Sequence, residues 1–275
     1  IEPIFSEGKG VTRSSVSEIY DQIIADAKFA EEHLPIDWVD RGRPTKGAAK
    51  TLLASVYLTS AGWPLKQTEN YALAAQKAKE VIDMGKYGLF DSFEEIWLQH
   101  NEDDKEWIFT LQGTRDGGTP TYMGKSFMPP EEAGWVDYFS EPEFYLEFPE
   151  GERKNVTFRD TFVTAQGDSI AWQNSILGSP FINKYRYAFE YIPGVKPPSK
   201  TDNNFPVFRY AEVLLIYAEA INKANGSPDA LAYENLNKIR KRAWGADLTG
   251  YSELAGLSSE EFDKAVLDER NWELA

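Results

Sequence analysis

Cysteine is absent from this 275-residue chain, which excludes a disulfide framework, a thiol nucleophile and any thiolate-bound metal. Histidine is nearly absent too. Its two copies, His33 before a Leu-Pro pair and His100 after a short helical pattern, read as helix-end residues, so no Ser-His pairing for nucleophilic catalysis arises. Basic charge is in deficit, with 29 Lys and Arg against 44 Asp and Glu and a net charge of -15, so nucleic acid and anionic membrane surfaces would be repelled. No charge-free apolar run reaches the ~18 residues that a spanning helix needs. Neither a Met nor a signal peptide stands at Ile1-Glu2-Pro3, and the chain stops inside a helical pattern at Asn271-Trp272-Glu273-Leu274-Ala275, so both ends read as cut.

Aromatic side chains, by contrast, are plentiful: 14% of residues, with 8 Trp and 14 Tyr. Core filling accounts for part of that excess, and rings left exposed as stacking platforms for the rest. The 42% hydrophobic content suffices for a sizeable core.

Helical periodicity runs over 14–34 and stops at Pro35. After the turn Arg41-Gly42-Arg43-Pro44, Thr45 is placed to cap a helix to about residue 60, whose Ala48, Ala49, Ala54 and Ser55 permit close backbone approach. Gly62-Trp63-Pro64 breaks it, Asn70 is expected to cap the next helix, and Gly85 to close that helix. Ser92 and Glu95 form a capping-box pattern before Ile96-Trp97-Leu98, an acidic loop follows at 101–104, and 107–111 reads as a strand. Residues 112–205 are rich in Gly, Pro and aromatics, with one helix expected near 131–139; so long an irregular stretch in a compact protein is a functional excursion.

Order returns at 206–222, where apolar residues on nearly every side predict a buried helix. Its charges Arg209, Glu212 and Glu219 fall on one narrow seam and call for partners among Arg240, Arg242, Glu269 or Arg270 on the last helices. Asn225-Gly226-Ser227-Pro228 turns the chain into a helix over 229–243, and a last helix covers 260–274. The helical hairpins at 45–84 and 206–243 suggest divergent tetratricopeptide-like repeats.

Few residues offer chemistry. The acidic loop lacks the ligand spacing and turn glycine of an EF-hand and reads as a solvated loop; no metal is predicted. Arg115-Asp116-Gly117-Gly118 lacks a phosphate-loop Lys-Ser/Thr sequel and reads as a turn. Among 44 acids, pairs of carboxylates are unavoidable and do not point to a glycosidase. There remains the aromatic set of the excursion: Tyr122, Phe127, Trp135, Tyr138, Tyr145, Trp172, Tyr185, Tyr187 and Tyr191. Flat rings stack on the apolar faces of sugars while nearby polar side chains read hydroxyls. Trp135, then Tyr122, Trp172 and Tyr138, are the foremost ligand-binding candidates because they lie among turn residues.

The run Phe208-Arg209-Tyr210-Ala211-Glu212-Val213-Leu214-Leu215-Ile216-Tyr217-Ala218-Glu219-Ala220 closely resembles the SusD/RagB family of Bacteroidota outer-membrane lipoproteins. Gly42-Arg43-Pro44-Thr45-Lys46-Gly47-Ala48-Ala49-Lys50, Ala78-Lys79-Glu80-Val81-Ile82-Asp83-Met84-Gly85-Lys86-Tyr87, Leu236-Asn237-Lys238-Ile239-Arg240-Lys241-Arg242-Ala243 and Val266-Leu267-Asp268-Glu269-Arg270 add to the likeness. Where the family often has Asp-Pro-Arg, only Arg153 of Glu150-Gly151-Glu152-Arg153 corresponds. The resemblance implies an all-α fold of tetratricopeptide-like hairpins with a long loop-rich aromatic excursion. It implies one SusD-like domain over 1–275: a helical-repeat part at 14–111, a ligand face at 112–205, and a helical and C-terminal part at 206–275. It further implies a non-enzymatic, cofactor-free, surface-exposed lipoprotein that captures oligosaccharide for a SusC-type TonB-dependent outer-membrane transporter, and that this chain is an internal fragment without the lipid anchor. Peptide capture for import, a protein-binding tetratricopeptide scaffold and an all-α glycoside hydrolase are the rival readings.

Overall fold

The computed structural model describes residues 12–185 and 191–275. Helix α1 (Val16–His33) opens with a reciprocal capping box, in which the Glu18 amide donates to the Ser15 hydroxyl and the Ser15 amide donates to the Glu18 carboxylate. Helix α2 (Lys46–Ala61) opens on Thr45, whose hydroxyl accepts from the Ala48 amide as expected. Helix α3 (Asn70–Asp83) departs from expectation at its start: Asn70 is the first helical residue, not the cap. Its amide is buried and donates instead to the Ser60 hydroxyl (2.8 Å) and to Gln67, because a buried amide must find a partner and the α2–α3 turn supplies one. Gly85 closes α3 at φ +61°.

The chain then forms β1 (Trp107–Leu111) and leaves on the excursion, which holds α4 (Met123–Ser126), α5 (Pro142–Glu147), α6 (Glu152–Thr157), β2 (Phe158–Arg159), β3 (Thr161–Val163), β4 (Ser169–Ala171) and β5 (Phe181–Ile182). It returns through β6 (Phe205–Arg209) into α7 (Tyr210–Asn225), α8 (Ala230–Trp244) and α9 (Ser259–Glu273). Strands β1 and β6 pair antiparallel, Trp107 opposite Arg209 and Leu111 opposite Phe205. This two-stranded neck draws the ends of the excursion together. The short pairs β2–β5 and β3–β4, also antiparallel, stiffen the excursion itself.

The expected helix over 206–222 therefore begins four residues late, and Arg209 ends a strand rather than opening a helical seam. Once begun, α7 is as buried as its composition demands: Leu215, Ile216 and Ala218 have no exposed surface. At about 1.5–3 kcal/mol per fully buried Leu or Ile, this helix contributes heavily to the core. The α2–α3 pair packs against α7, and α7 against α8 and α9, so two helical hairpins meet along α3 and α7 in a tetratricopeptide-like arrangement. Buried Ala54, Ala74 and Ala78 allow the close approach.

Charges at the junction form a sealed cluster. Glu106, just before the neck, receives Arg209 (2.9 Å) and Arg242 of α8 (2.6 Å); Glu273 of α9 receives Arg209 (2.8 Å), Arg242 (2.6 Å) and Arg153 of α6 (2.9 Å). Arg153 also meets Glu269 at 2.5 Å. Three guanidinium groups balance three carboxylates, all buried. The seam itself finds one of its expected partners, since Glu219 lies 3.6 Å from Arg270. Arg242 instead serves Glu106 and Glu273, and Arg240 donates to the Ser252 carbonyl.

Candidate binding site

The excursion hangs from the neck by further short links. Thr121 and Thr201 exchange backbone hydrogen bonds of 3.1 and 2.9 Å, and Arg115 pairs with Asp202 at 2.6 Å, so the stretch 115–118 is the turn expected of it. The acidic loop is not simply solvated. The Asp103 carboxylate accepts from Thr110 (2.6 Å), Gln112 and Asn204, while Glu102 accepts from the Asn204 amide and is pushed up to about 7, chiefly by burial. Among the described residues, no group of three or more His, Cys, Asp and Glu is placed to hold a metal ion.

Instead of a helix over 131–139, there is one 3₁₀ turn at Pro130–Glu132, after which the backbone turns left-handed at Ala133 (φ +58°) and again at Val136 (φ +63°). The reason is competition for amides: those of Trp135, Asp137 and Tyr138 donate to the carbonyls of Lys125 and Ser126 on α4 rather than along a helix. Gly134 makes the approach possible, since a Cβ there would lie 2.0 Å from the Met128 carbonyl oxygen.

This cross-linking brings candidate rings together. Tyr122 and Trp135 lie 5.7 Å apart, each 44% exposed, and Tyr138, 56% exposed, stacks on Phe127 at 4.9 Å. Phe127 stacks in turn on Tyr185 at 5.3 Å. Exposed rings of this size lose apolar surface to water, and a ligand face recovers it. Trp172 is elsewhere: half-buried at the start of a 3₁₀ turn, it meets Tyr145 edge-on at 5.8 Å, and its amide donates to the Asp160 carbonyl. Tyr187 lies outside the described residues.

Beside the ring row opens a cavity of about 870 Å³, walled by Phe127, Tyr145, Tyr185 and Tyr191 and by the polar Lys154, Arg159 and Asp160. The four foremost candidates do not line it; its aromatic lining comes from other members of the predicted set and from Phe158, which is not among them. Its polar groups are already held in place. Tyr145 donates to Asp160 (2.8 Å) and is pushed up to about 12 by burial and by that carboxylate. Lys154 meets Glu150 at 2.6 Å and lies over the Tyr145 ring, and Arg159 meets the buried Glu132 at 2.5 Å. Burial pushes the Glu132 carboxyl up, yet it has no exposed surface from which to protonate a substrate. Fixed rings beside fixed hydrogen-bonding groups suit a polyhydroxylated ligand. Lys154, Arg159 and Asp160 carried no local signal: they converge only because α6 and β2 fold back under α5.

A helical-repeat frame thus carries a loop-built face of aromatic and polar side chains. The family model described as the SusD family matches residues 151–275, and one described as "Starch-binding associating with outer membrane" matches residues 6–58. Both models are of SusD type and support the SusD/RagB resemblance of the sequence. It is 27% identical to SusD-like protein P2 of Formosa agariphila over 98% of its length, and spans 56% of that relative. Its fold matches a SusD superfamily structure from Parabacteroides distasonis with a TM-score of 0.80 at 29% identity, covering 96% of this chain and 57% of that one. It also matches the surface glycan-binding protein A of Bacteroides uniformis, with a TM-score of 0.71 at 24% identity, covering 96% and 56%.

Proposed function

We propose that this chain is the binding part of a cell-surface protein that captures oligosaccharide through stacked rings and delivers it, unbroken, to a SusC-type TonB-dependent transporter in the outer membrane. The observation that carries the reading is the exposed Tyr122–Trp135 pair together with the stack of exposed Tyr138 on Phe127 and buried Tyr185, the last two rings walling a cavity with fixed polar groups. Residues 112–205 form the ligand face, and 14–111 with 206–275 carry it. A glycan-binding neighbour of the same fold supports sugar over peptide, and the family supports a lipid-anchored place at the cell surface.

Affinity electrophoresis through gels containing different polysaccharides tests the reading. Retardation in at least one gel, abolished by Trp135→Ala and accompanied by no release of reducing ends, is the expected result. Unchanged migration in every gel would favour the scaffold reading, and released reducing ends would favour a hydrolase.

A further inference from the structure

Lysine 125 is out of place in this molecule. Most other buried cations sit against carboxylates, Arg153, Arg209 and Arg242 in the junction cluster and Lys154 with Glu150, while Lys184 donates to the Ala275 carbonyl. Lys125 is only 3% exposed, yet among the described residues no acceptor lies within hydrogen-bonding distance of its Nζ. The ammonium instead lies over the Trp135 ring, 5.4 Å from its centre. Its cover is thin, made by neighbours such as Trp135 that themselves stand half in solvent. The charge acting on it most is another cation, the exposed Lys196, and burial and that repulsion both push Lys125 down from the usual lysine range. Two cations acting on each other, with no carboxylate paired to Lys125 among the described residues, are a local reversal of the field of a chain of net charge -15. A cation–π contact offsets part of the cost of covering an ammonium but supplies no hydrogen-bond acceptor, so among the described residues its protons are left to solvent.

The exposed partners of this cation are the ring pair. Tyr122 and Trp135 are locked around the same short turn, since the Lys125 amide donates to the Tyr122 carbonyl (3.2 Å) and the Trp135 amide to the Lys125 carbonyl (3.0 Å). Ring platform and unpaired cation are therefore one rigid unit. We propose that this unit is a subsite for an acidic sugar: the sugar ring stacks on Tyr122 and Trp135, and its carboxylate or sulfate supplies the acceptor that Lys125 lacks, with Lys196 at the rim. The inference rests on the glycan-binding reading and narrows it to anionic polysaccharides, with uronates and sulfate esters sharing the required chemistry. An acidic peptide would satisfy the lysines but leave the ring pair without a sugar face to cover.

The test is a glycan array printed with matched neutral, uronate-bearing and sulfated oligosaccharides, followed by calorimetry on the tightest binders. Binding concentrated among acidic glycans, weakening with added salt and falling about ten- to a hundredfold in Lys125→Met, is the expected outcome. The uronate and sulfate arms identify which anion is read. Lys196→Ala lies on the surface, keeps the fold, and should lower acidic-glycan affinity by a few-fold. Binding confined to neutral glycans, or acidic binding unchanged in both variants whose melting curves match the parent, overturns the subsite and leaves glycan capture standing. An array with no binder overturns both readings together, and retention of acidic peptides alone replaces the sugar with a peptide ligand.

Discussion

In the helical frame, Arg153, Arg209 and Arg242 meet Glu106, Glu269 and Glu273 in a closed, solvent-free set, and the large side chains of α7 have almost no exposed surface. In the excursion, Trp135, Tyr122 and Tyr138 keep 44–56% of their surface in solvent, and Lys125 lies covered with no carboxylate paired to it among the described residues. The same residue types thus occur under opposite conditions. Burial with a carboxylate for every guanidinium, even with Arg153 Nε and Arg242 Nε left unpaired, belongs to stability, because a charge taken from water must be compensated within the fold. Exposure of costly groups on a rigid support belongs to recognition, because a ligand then supplies what the fold withholds. Arg153 joins the two regions: it stands on α6, inside the excursion, and its guanidinium is held by α9.

If the frame's charges act as a set, removing one should have the largest effect of any change considered. Arg242→Ala leaves Glu106 and Glu273 each short of a partner and should destabilise the fold by roughly 3–5 kcal/mol in urea unfolding. A loss below about 1 kcal/mol would show that water reaches the cluster and that the contrast with the excursion is weaker than drawn. Acid is the next probe. The three arginines hold Glu273 down to about 2 from its unfolded value of 4.5, so its contribution is complete above pH 4.5 and is lost as pH falls from there toward 2. Glu102, pushed up to about 7, has the opposite sign: between pH 7 and 4.5 the folded state holds its proton more tightly, so stability rises as pH falls. Melting temperature should therefore pass through a maximum near pH 4.5–5; a steady fall from pH 7 downward would contradict the Glu102 assignment, and no fall below pH 4.5 would contradict that of Glu273.

Local signals carried the helical frame and failed where partners lie far away in sequence. Thr45 and Gly85, read as helix ends from the sequence, mark them in the structure, and the capping boxes Ser15–Glu18 and Ser258–Glu261 that the structure adds are just as local. Arg209 was legible as a charge needing partners, but Glu106 lies 103 residues before it and Glu273 lies 64 after it, which no periodicity reveals. The short β6 runs without a break into α7, so four of its five residues read as helix. Within the excursion the rings were legible by composition, their grouping was not: three-residue strands and left-handed Ala133 and Val136 decide which rings meet. Trp172 looked equivalent to Trp135 among turn residues, and only folding sets it against Tyr145 instead of beside Tyr122.

That separation gives the next test in size. Trp135→Ala should weaken glycan binding by about 2 kcal/mol, roughly thirtyfold, the range of a central aromatic contact. Because the ring is 44% exposed, unfolding free energy should change by less than about 1 kcal/mol. Trp172→Ala should do the reverse, with little effect on binding and a measurable loss of stability as Tyr145 loses its neighbour. Calorimetric titration of both variants beside their unfolding curves decides it. Equal binding losses would join Trp172 to the face, and a binding loss at Trp172 alone would move the face to its side of the cavity.

The smallest expected effect concerns the backbone that aims the rings. Ala133 adopts φ +58°, a region in which a side chain costs energy and glycine does not, and it is held there because the amides beyond it are bonded to Lys125 and Ser126. Ala133→Gly removes that strain and gains unfolded-state entropy, leaving a net stabilisation of about 0.5–1 kcal/mol. The same substitution leaves Trp135 anchored through its amide, so binding should hold within about twofold of the parent, inside the scatter expected of a surface change. A stabilised protein that binds several-fold more weakly would show that the strained turn, beyond merely positioning Trp135, holds the ring pair against a competing arrangement; the excursion would then share the frame's rigidity at this one point.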